Sequence, residues 1–318
     1  MKRELLILRH GKSDWDVACD DFQRPLKDRG KRGAQRMGAW LWREGRIADL
    51  IITSPAERAL VTAEKCCKAM GRGATGIIEK RRIYDAGVGD LMHVLNESPA
   101  EAQRILLVGH NPGLEELVEY LADVRPAIPA DGKLMPTATL AIFSVAEEWS
   151  ALSAGEGHLE EIVRPNQLPK KFPFPAPDGS ELRDRPAYYY SQSSVIPYRR
   201  VEGRLEILVI ASSKNKHWVV PKGIIDPGLS PQESAKKEAL EEAGAVGEPT
   251  AEALGDYRYE KWGATCTVSV YPMAVSRLLP ADEWEEEHRG RGWVSPEEAM
   301  KRVKQQELVP MIRQLAEQ

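Results

Sequence analysis

The chain has 318 residues, of which 42% are hydrophobic and 29% charged, and at about 150 residues per domain this length favours two domains with separate cores. The formal net charge of −4 argues against a protein that binds nucleic-acid polymers or an acidic membrane surface through a basic face. No apolar run approaches the roughly 18 residues of a membrane span, and the four cysteines follow no zinc or disulfide spacing. We therefore expect a cytoplasmic protein with reduced thiols and no membrane partner.

The first half of the chain alternates short apolar runs with amphipathic segments. The runs lie at 4–8, 50–53, 105–108 and 139–145, and apolar residues at helical spacing lie at 29–44, 56–70 and 113–122. This alternation predicts βαβ units and an α/β domain with a mostly parallel sheet. In such sheets the ligand-binding and catalytic residues lie beyond the carboxyl ends of the strands.

A proline-rich stretch follows this half. Six prolines lie between 165 and 186, and such a density cannot sustain a helix or a central strand. We predict an N-terminal domain over 1–164, an extended linker over 165–185 and a second domain over 186–318.

The second half has a different pattern. Runs rich in Val, Ile and Tyr at 193–198, 205–210, 218–220, 254–259 and 265–274 predict strands, and helices are expected at 231–243, 296–304 and near the C-terminus. Strands with few helices predict an α+β domain with a mixed sheet.

Four basic side chains follow the predicted strands of the first half. Arg9 and His10 come directly after the first run, Arg58 follows the second, and His110 follows the third. Because the ends of parallel strands lie side by side, these groups are expected to converge into a cationic pocket. Arginine matches phosphate oxygens with its fork of donors, and a neutral imidazole can attack phosphorus.

Residues 5–30, from LLILRHGKSDW to DFQRPLKDRG, resemble a SixA-type phosphohistidine phosphatase of the histidine phosphatase superfamily, and the similarity extends to about residue 164. The resemblance implies a histidine-phosphatase-like fold in which His10 accepts the phosphoryl group and Arg9, Arg58 and His110 bind and stabilise it. It implies no cofactor at this domain. Asp85 is the nearest candidate for a proton donor, although a plain loop aspartate is the simpler interpretation.

The predicted helix at 231–243 carries three glutamates on one face. Glu238 is followed at i+3 and i+4 by Glu241 and Glu242, and such like charges repel unless a cation neutralises them. Oxygen ligands of this kind suit Mg²⁺. Ser230 and Gly244 predict the N-cap and the left-handed end of the helix.

The segment from Gly223 to Gly244 resembles the Nudix box, and the similarity covers about 186–318. The resemblance implies that Glu238, Glu241 and Glu242 bind Mg²⁺ or Mn²⁺. Two positions depart from the pattern: Leu229 replaces the first Glu, and Lys237 replaces an Arg that normally orients a metal-binding Glu. The loss of the first Glu puts the fine geometry of the box in doubt more than metal binding, and Lys237 keeps the charge of the Arg but loses its fork of donors.

The flanks of the box resemble Nudix hydrolases of diphosphoinositol polyphosphates and diadenosine polyphosphates. Lys222, Arg199 and Arg258 are the candidate substrate-binding residues, and further charge is available from Lys214, Lys216, His217 and Lys261. We expect a two-domain phosphohydrolase that acts on a small phosphorylated substrate, a nucleotide or an inositol pyrophosphate, with one domain feeding the other.

Two alternatives remain open. In the first, the N-terminal domain dephosphorylates a phosphohistidine protein in signalling, while a weakly active or inactive Nudix domain senses a nucleotide. In the second, the departures at Leu229 and Lys237 leave the Nudix domain as a binding module.

Overall fold

A computed structural model of the chain describes residues 3–145, 148–175, 181–212, 217–280, 283–286 and 288–318. Lys214 and Lys216, and residues 176–180 of the predicted linker, lie outside these ranges. The chain divides into two compact units, Met1–Pro173 and Phe174–Gln318. Among the described residues, no helix combines the length and the apolar character that crossing a membrane requires.

In its described residues the first unit contains strands and helices that alternate along the chain. The strands are β1 (Arg3–Arg9), β2 (Leu50–Thr53), β3 (Ile78–Glu79), β4 (Arg104–Gly109), β5 (Leu140–Val145), β6 (His158–Val163) and the short β7 (Phe172–Pro173). The helices are α1 (Asp28–Arg43), α2 (Glu57–Ala69), α3 (Val88–Asn96) and α4 (Gly113–Leu121).

The sheet of the first unit has the order β3-β2-β4-β1-β5-β6. Strands β1 to β4 pair in parallel, and β5 and β6 pair in antiparallel fashion at one side. Successive residues of β1 face opposite sides of the sheet, so Leu5 and Ile7 pack toward α3 and α4 while Leu6 and Leu8 pack toward α1 and α2. Helices on both faces explain why β1 is a continuous apolar run rather than an alternating one.

The second unit contains a mixed sheet and fewer helices. Its described strands are β8 (Leu182–Arg183), β9 (Ser191–Val201), β10 (Arg204–Ala211), β11 (Trp218–Val219), β12 (Lys222–Ile224), β13 (Ala245–Pro249), β14 (Gly255–Lys261), β15 (Ala264–Leu278) and β16 (Arg291–Val294). Its described helices are α5 (Pro231–Ala243), α6 (Pro296–Arg302) and α7 (Leu308–Ala316).

The long strands β9 and β15 pair in parallel at the centre of this sheet, and the other pairs are antiparallel. One face of β9 and β10 packs against α6 and α7, and the opposite face packs against the alanine stripe of α5. The close approach of α5 requires the small side chains of Ala235, Ala239 and Ala243, each of which is fully buried.

Both predicted fold classes are confirmed, an α/β first domain with a mainly parallel sheet and an α+β second domain with a mixed sheet. The prediction missed α3, although Leu91, Met92 and Leu95 have helical spacing, because the glycines of the preceding segment 83–89 favoured a loop. It also missed β6, whose residues are mostly exposed and carry no apolar pattern.

Candidate functional site

The parallel strands of the first unit bring the predicted basic residues to one edge of the sheet. Arg9 pairs with Gly109 in the register of β1 and β4, and the backbone N–H of His10 donates to the carbonyl of Gly109 at 3.0 Å. The N–H of Ser54, just after β2, donates to the carbonyl of Val108 at 3.0 Å. The segments that carry the site are therefore fixed by backbone hydrogen bonds at neighbouring strand ends.

His10 is a buried, neutral imidazole with one defined tautomer. Its Nδ1 lies 2.7 Å from the carbonyl oxygen of Gly11, which can only accept, so Nδ1 carries the proton and Nε2 keeps its lone pair. Burial, together with the guanidinium charges of Arg58 and Arg9 and against the opposing hydrogen bond to Gly11, lowers the pKa of His10 to about 4. At neutral pH the ring is thus an unprotonated nucleophile.

His110 lies beside this ring. The two ring centroids are 5.1 Å apart and the planes are inclined by 53°. Burial and the neighbouring His10 and Arg58 lower the pKa of His110 to about 3. Its Nε2 is 2.9 Å from the hydroxyl of Ser54, whereas its Nδ1 is buried without a partner among the described residues.

An aspartate that the sequence analysis did not select holds Arg58 in place. Arg58, buried on α2, donates through Nη2 to Asp21 Oδ2 at 2.9 Å, and the hydroxyl of Tyr84 donates to the same oxygen at 2.9 Å. Arg24 also pairs with Asp21, and its guanidinium stacks 3.3 Å from the ring centroid of Trp15. These residues come from loops, and although Trp15, Asp21 and Arg24 lie in the segments that carry the phosphatase resemblance, no periodicity indicates their contact with Arg58.

Arg9 and Asp85 behave differently from the rest of the predicted cluster. Arg9 donates to the carbonyl of Met135 at 2.7 Å, and burial lowers the pKa of its guanidinium. Asp85 is exposed, has a left-handed backbone (φ 56°), and makes no hydrogen bond or ion pair with His10 or His110 in the described part of the chain. The structure thus brings His10, Arg58 and His110 together, with Arg9 at the border of the group.

The helix of the second site has the predicted local structure. The Ser230 hydroxyl accepts from the N–H of Glu233, the Glu233 carboxylate accepts from the N–H of Ser230, and Gly244 ends α5 in a left-handed conformation (φ 56°). A β-carbon at Gly223 would lie 1.8 Å from Glu238 Oε1. Glycine is therefore required at this position for the Glu238 carboxylate to lie where it does.

The three carboxylates carry more negative charge than the protein neutralises. Burial and the nearby Glu242 and Glu241 raise the pKa of Glu238 to about 7, and burial raises the pKa of Glu242 and of Glu241. Glu242 accepts from the N–H of Lys222 at 3.0 Å and pairs with Arg289 at 3.0 Å.

No group of three or more His, Cys, Asp or Glu side chains is arranged around a metal position within the described ranges. The residues nevertheless fit a hard divalent cation by donor chemistry, because carboxylate oxygens are its preferred ligands and the excess charge at Glu238 is what such a cation relieves.

The lysine that departs from the box pattern has a carboxylate partner. Lys237 Nζ lies 3.1 Å from Asp226 Oδ2 and 3.6 Å from Glu241 Oε1. Leu229, at the other departing position, donates its N–H to the carbonyl of Asp226 at 3.0 Å. Asp226, which the sequence analysis did not select, therefore supplies the carboxylate that pairs with this basic residue.

The structure does not bring the three candidate substrate-binding residues together. Lys222 donates to Gln192 at 2.7 Å and to the hydroxyl of Tyr259 at 3.0 Å, and burial lowers its pKa. Arg199 pairs with Glu206 across β9 and β10 at 2.7 Å. Arg258 is exposed, and the alternation along β14 directs it to the face opposite Tyr259.

Comparisons with known proteins match the two halves of the chain to two different families. The sequence profile of the histidine phosphatase superfamily (branch 1) matches residues 5–102, and that of the NUDIX domain matches residues 191–315. Nudix hydrolase 21, chloroplastic, of Arabidopsis thaliana is 33% identical over 153 residues, which span 42% of this chain and 76% of that protein. An uncharacterized protein of Mycobacterium tuberculosis is 30% identical over 153 residues, which span 46% of this chain and 93% of that protein.

Among solved structures, the putative phosphohistidine phosphatase SixA from Nakamurella multipartitia is 26% identical, with a TM-score of 0.44 over 52% of this chain and 97% of that one. The C-terminal part of the chain belongs to the Nudix hydrolases, and the N-terminal part matches the profile of the histidine phosphatase superfamily; both are families of hydrolytic enzymes.

Proposed function

We propose that the chain is a phosphohydrolase with two separate reactions. The first unit is a phosphatase that transfers a phosphoryl group to His10. The second unit cleaves a phosphoanhydride of a nucleoside polyphosphate, a diadenosine polyphosphate or a diphosphoinositol polyphosphate with the help of Mg²⁺ or Mn²⁺. The observation that carries the proposal is the neutral, buried His10 beside Arg58 and His110, whose Nε2 forms no hydrogen bond with any residue that the structure describes.

The first reaction forms and breaks bonds at Nε2 of His10. Nε2 attacks phosphorus, the bond from phosphorus to the leaving-group oxygen breaks, and that oxygen departs with the electron pair. Arg58, held by Asp21, offsets the charge on the equatorial oxygens of the transferring group, and the unpartnered Nδ1 of His110 is available to donate to one of them. Water then attacks the phosphohistidine and releases inorganic phosphate and free His10.

In the second reaction Glu238, Glu241 and Glu242 would hold the divalent cation. Such a cation supplies charge neutralisation at the phosphoanhydride and activation of water. The chain itself contributes the space beside Gly223 that the Glu238 carboxylate occupies, and the pairing of Lys237 with Asp226. It also contributes a buried cation at Lys222, whose Nζ is oriented by Gln192 and Tyr259.

A substrate panel tests the proposal. Nucleoside polyphosphates, diadenosine polyphosphates, inositol pyrophosphates and p-nitrophenyl phosphate are incubated with and without Mg²⁺, and release of phosphate and pyrophosphate is measured. We expect His10→Ala to abolish only the metal-independent release and Glu238→Gln to abolish only the metal-dependent cleavage. Glu248→Gln, at a carboxylate paired with Lys236 away from the metal-binding glutamates, is the matched control. Loss of both activities in either variant would contradict the assignment of separate reactions.

The same panel tests whether the product of one reaction feeds the other. If it does, the wild-type protein releases monophosphate from a Nudix substrate. The His10→Ala variant cleaves the same substrate at the Nudix site only, and the product of that first cleavage accumulates. Identical product profiles would count against sequential use.

A second candidate function is a protein phosphohistidine phosphatase whose Nudix unit senses a nucleotide. The pairing of Glu242 with Arg289 and with the N–H of Lys222 favours it, because these contacts compete with a metal ion. Nucleotide-dependent dephosphorylation of a phosphohistidine protein, without turnover of the nucleotide, would support this function over the first.

A further inference from the structure

A basic cavity of the first unit is lined by Arg9, the residue that precedes the nucleophile His10. It has a volume of about 610 Å³, within the range of small-molecule sites, and it is lined by Lys12, Arg29, Lys133, Arg9, Asn111 and Glu115. Arg9 precedes His10 and Asn111 follows His110 in the chain, so the sequence neighbours of both histidines line the cavity.

Two glycines bring two of these cations together. A β-carbon at Gly30 would lie 2.3 Å from the backbone oxygen of Lys12, and one at Gly11 would lie 2.6 Å from the backbone oxygen of Gly30. The chain after β1 can therefore pack directly against the first turn of α1. This close approach places the side chains of Lys12 and Arg29 on the same cavity.

The cations of the cavity have too few carboxylates to neutralise them. Within the described residues Lys12, Arg29 and Lys133 form no ion pair, and Nε of Arg9 is buried without a partner. Glu115, the acidic residue on the cavity wall, accepts a hydrogen bond from the N–H of Met135. Arg29 also lies in the first turn of α1, where the helix dipole disfavours a cation.

We propose that this cavity binds a second phosphate group of the substrate, on the leaving-group side of the phosphoryl group that His10 accepts. The inference rests on the proposed phosphatase function and specifies its substrate class, molecules in which two phosphate groups are joined by an anhydride bond. Nε2 of His10 forms the bond to one phosphorus, and the leaving-group oxygen departs toward Lys12, Arg29 and Lys133.

This arrangement also accounts for a reaction without an acid at Asp85. A leaving phosphate oxygen has a low pKa and needs no proton when cations are within reach, whereas an alkoxide leaving group does. Asp85 makes no hydrogen bond with the described histidines of the site, so the fixed positive charge of the cavity replaces a proton donor.

The test compares a ligand with two phosphonate groups and a ligand with one. Binding of methylenediphosphonate and methylphosphonate to the full chain is measured by calorimetry in the presence of a chelator. The variants are Arg29→Ala with Lys133→Ala, and Lys133→Ala alone. The matched control is Arg43→Ala with Lys65→Ala, which removes the same charge from the opposite end of α1 and from α2.

We expect the Arg29→Ala/Lys133→Ala variant to bind methylenediphosphonate about tenfold or more weakly than the wild type, and methylphosphonate less than twofold more weakly. The control variant should bind both ligands with the affinity of the wild type. An unchanged affinity for methylenediphosphonate, or an equal loss for both ligands, would overturn the proposal. Because the assay measures binding, it is independent of turnover. Failure of the phosphatase function itself would instead appear as an absence of metal-independent phosphate release by the wild-type protein from every compound of the substrate panel.

Discussion

The buried histidine pair predicts that the first unit loses stability in mild acid. His10 has an unfolded pKa near 6.5 and a folded pKa of about 4, and only 8% of the residue is exposed. Between these two pH values the unfolded chain binds a proton at His10 and the folded chain does not. The free energy of unfolding is therefore undiminished by this group above pH 6.5 and decreases as the pH falls toward 4.

The magnitude follows from the difference of about 2.5 pKa units. At about 1.4 kcal/mol per unit, and with His10 half-protonated in the folded state at pH 4, the loss at that pH is about 3 kcal/mol. His110, with a folded pKa of about 3, acts in the same direction.

The assay is urea unfolding of the full chain from pH 7.5 to pH 4, followed by pulsed hydrogen exchange of peptides from β1 and β4. Over this pH interval the free energy of unfolding of the wild type should decrease by about 3 kcal/mol more than that of His10→Gln. His93→Gln, at an exposed histidine of α3 in the same unit, is the control and should leave the loss unchanged. An equal loss in wild type and His10→Gln would refute the buried, neutral state of His10.

Three further predictions follow from the two sites. Gly223→Ala should lower Mg²⁺-dependent turnover tenfold or more, because the new β-carbon would displace the Glu238 carboxylate. Stability should change little, because that side chain can move. A magnesium titration of turnover and the urea midpoint of unfolding measure these two effects. Gly30→Ala should destabilise the first unit by about 3 kcal/mol, because its β-carbon would meet the rigid backbone of Lys12; urea unfolding measures it. The acid limb of kcat/KM for the phosphatase reaction should lie near pH 4 rather than 6.5, since the nucleophilic histidine titrates there.

Each of these predictions has a matched control or a contradicting outcome. Gly292→Ala and Gly89→Ala place a β-carbon in open space in the second and first units, so neither should show the corresponding effect. An unchanged magnesium dependence in Gly223→Ala, or equal stabilities of Gly30→Ala and Gly89→Ala, would contradict the packing arguments. An acid limb at pH 6 or above would contradict the low pKa of the nucleophile.

Sequence periodicity predicted the scaffold because burial on both faces of a sheet leaves a local signal. The run at 4–8 and the helix at 231–243 have the burial, caps and periods that the sequence indicates. Residues directly after strands, such as His10 and His110, could be placed because parallel strands end at a common edge.

The residues that orient these groups carry no such signal. Asp21 and Tyr84 reach Arg58 from loops, and their positions depend on how those loops pack on the finished sheet. Asp226 lies three positions before the expected acidic residue of the box, and its contact with Lys237 depends on the turn that precedes α5. Residue type and spacing therefore identify the reacting groups, whereas tertiary contacts select their partners.

The central claim is that Nε2 of His10 takes the phosphoryl group, and trapping that group tests it most directly. The full chain is mixed with a phosphorylated substrate, quenched in alkali within milliseconds, and digested for peptide mass spectrometry. The account predicts an acid-labile phosphate on the peptide that contains His10 in the wild type and none in His10→Ala. Turnover of the substrate by wild type with no phosphate on that peptide, or by His10→Ala at an undiminished rate, would contradict it.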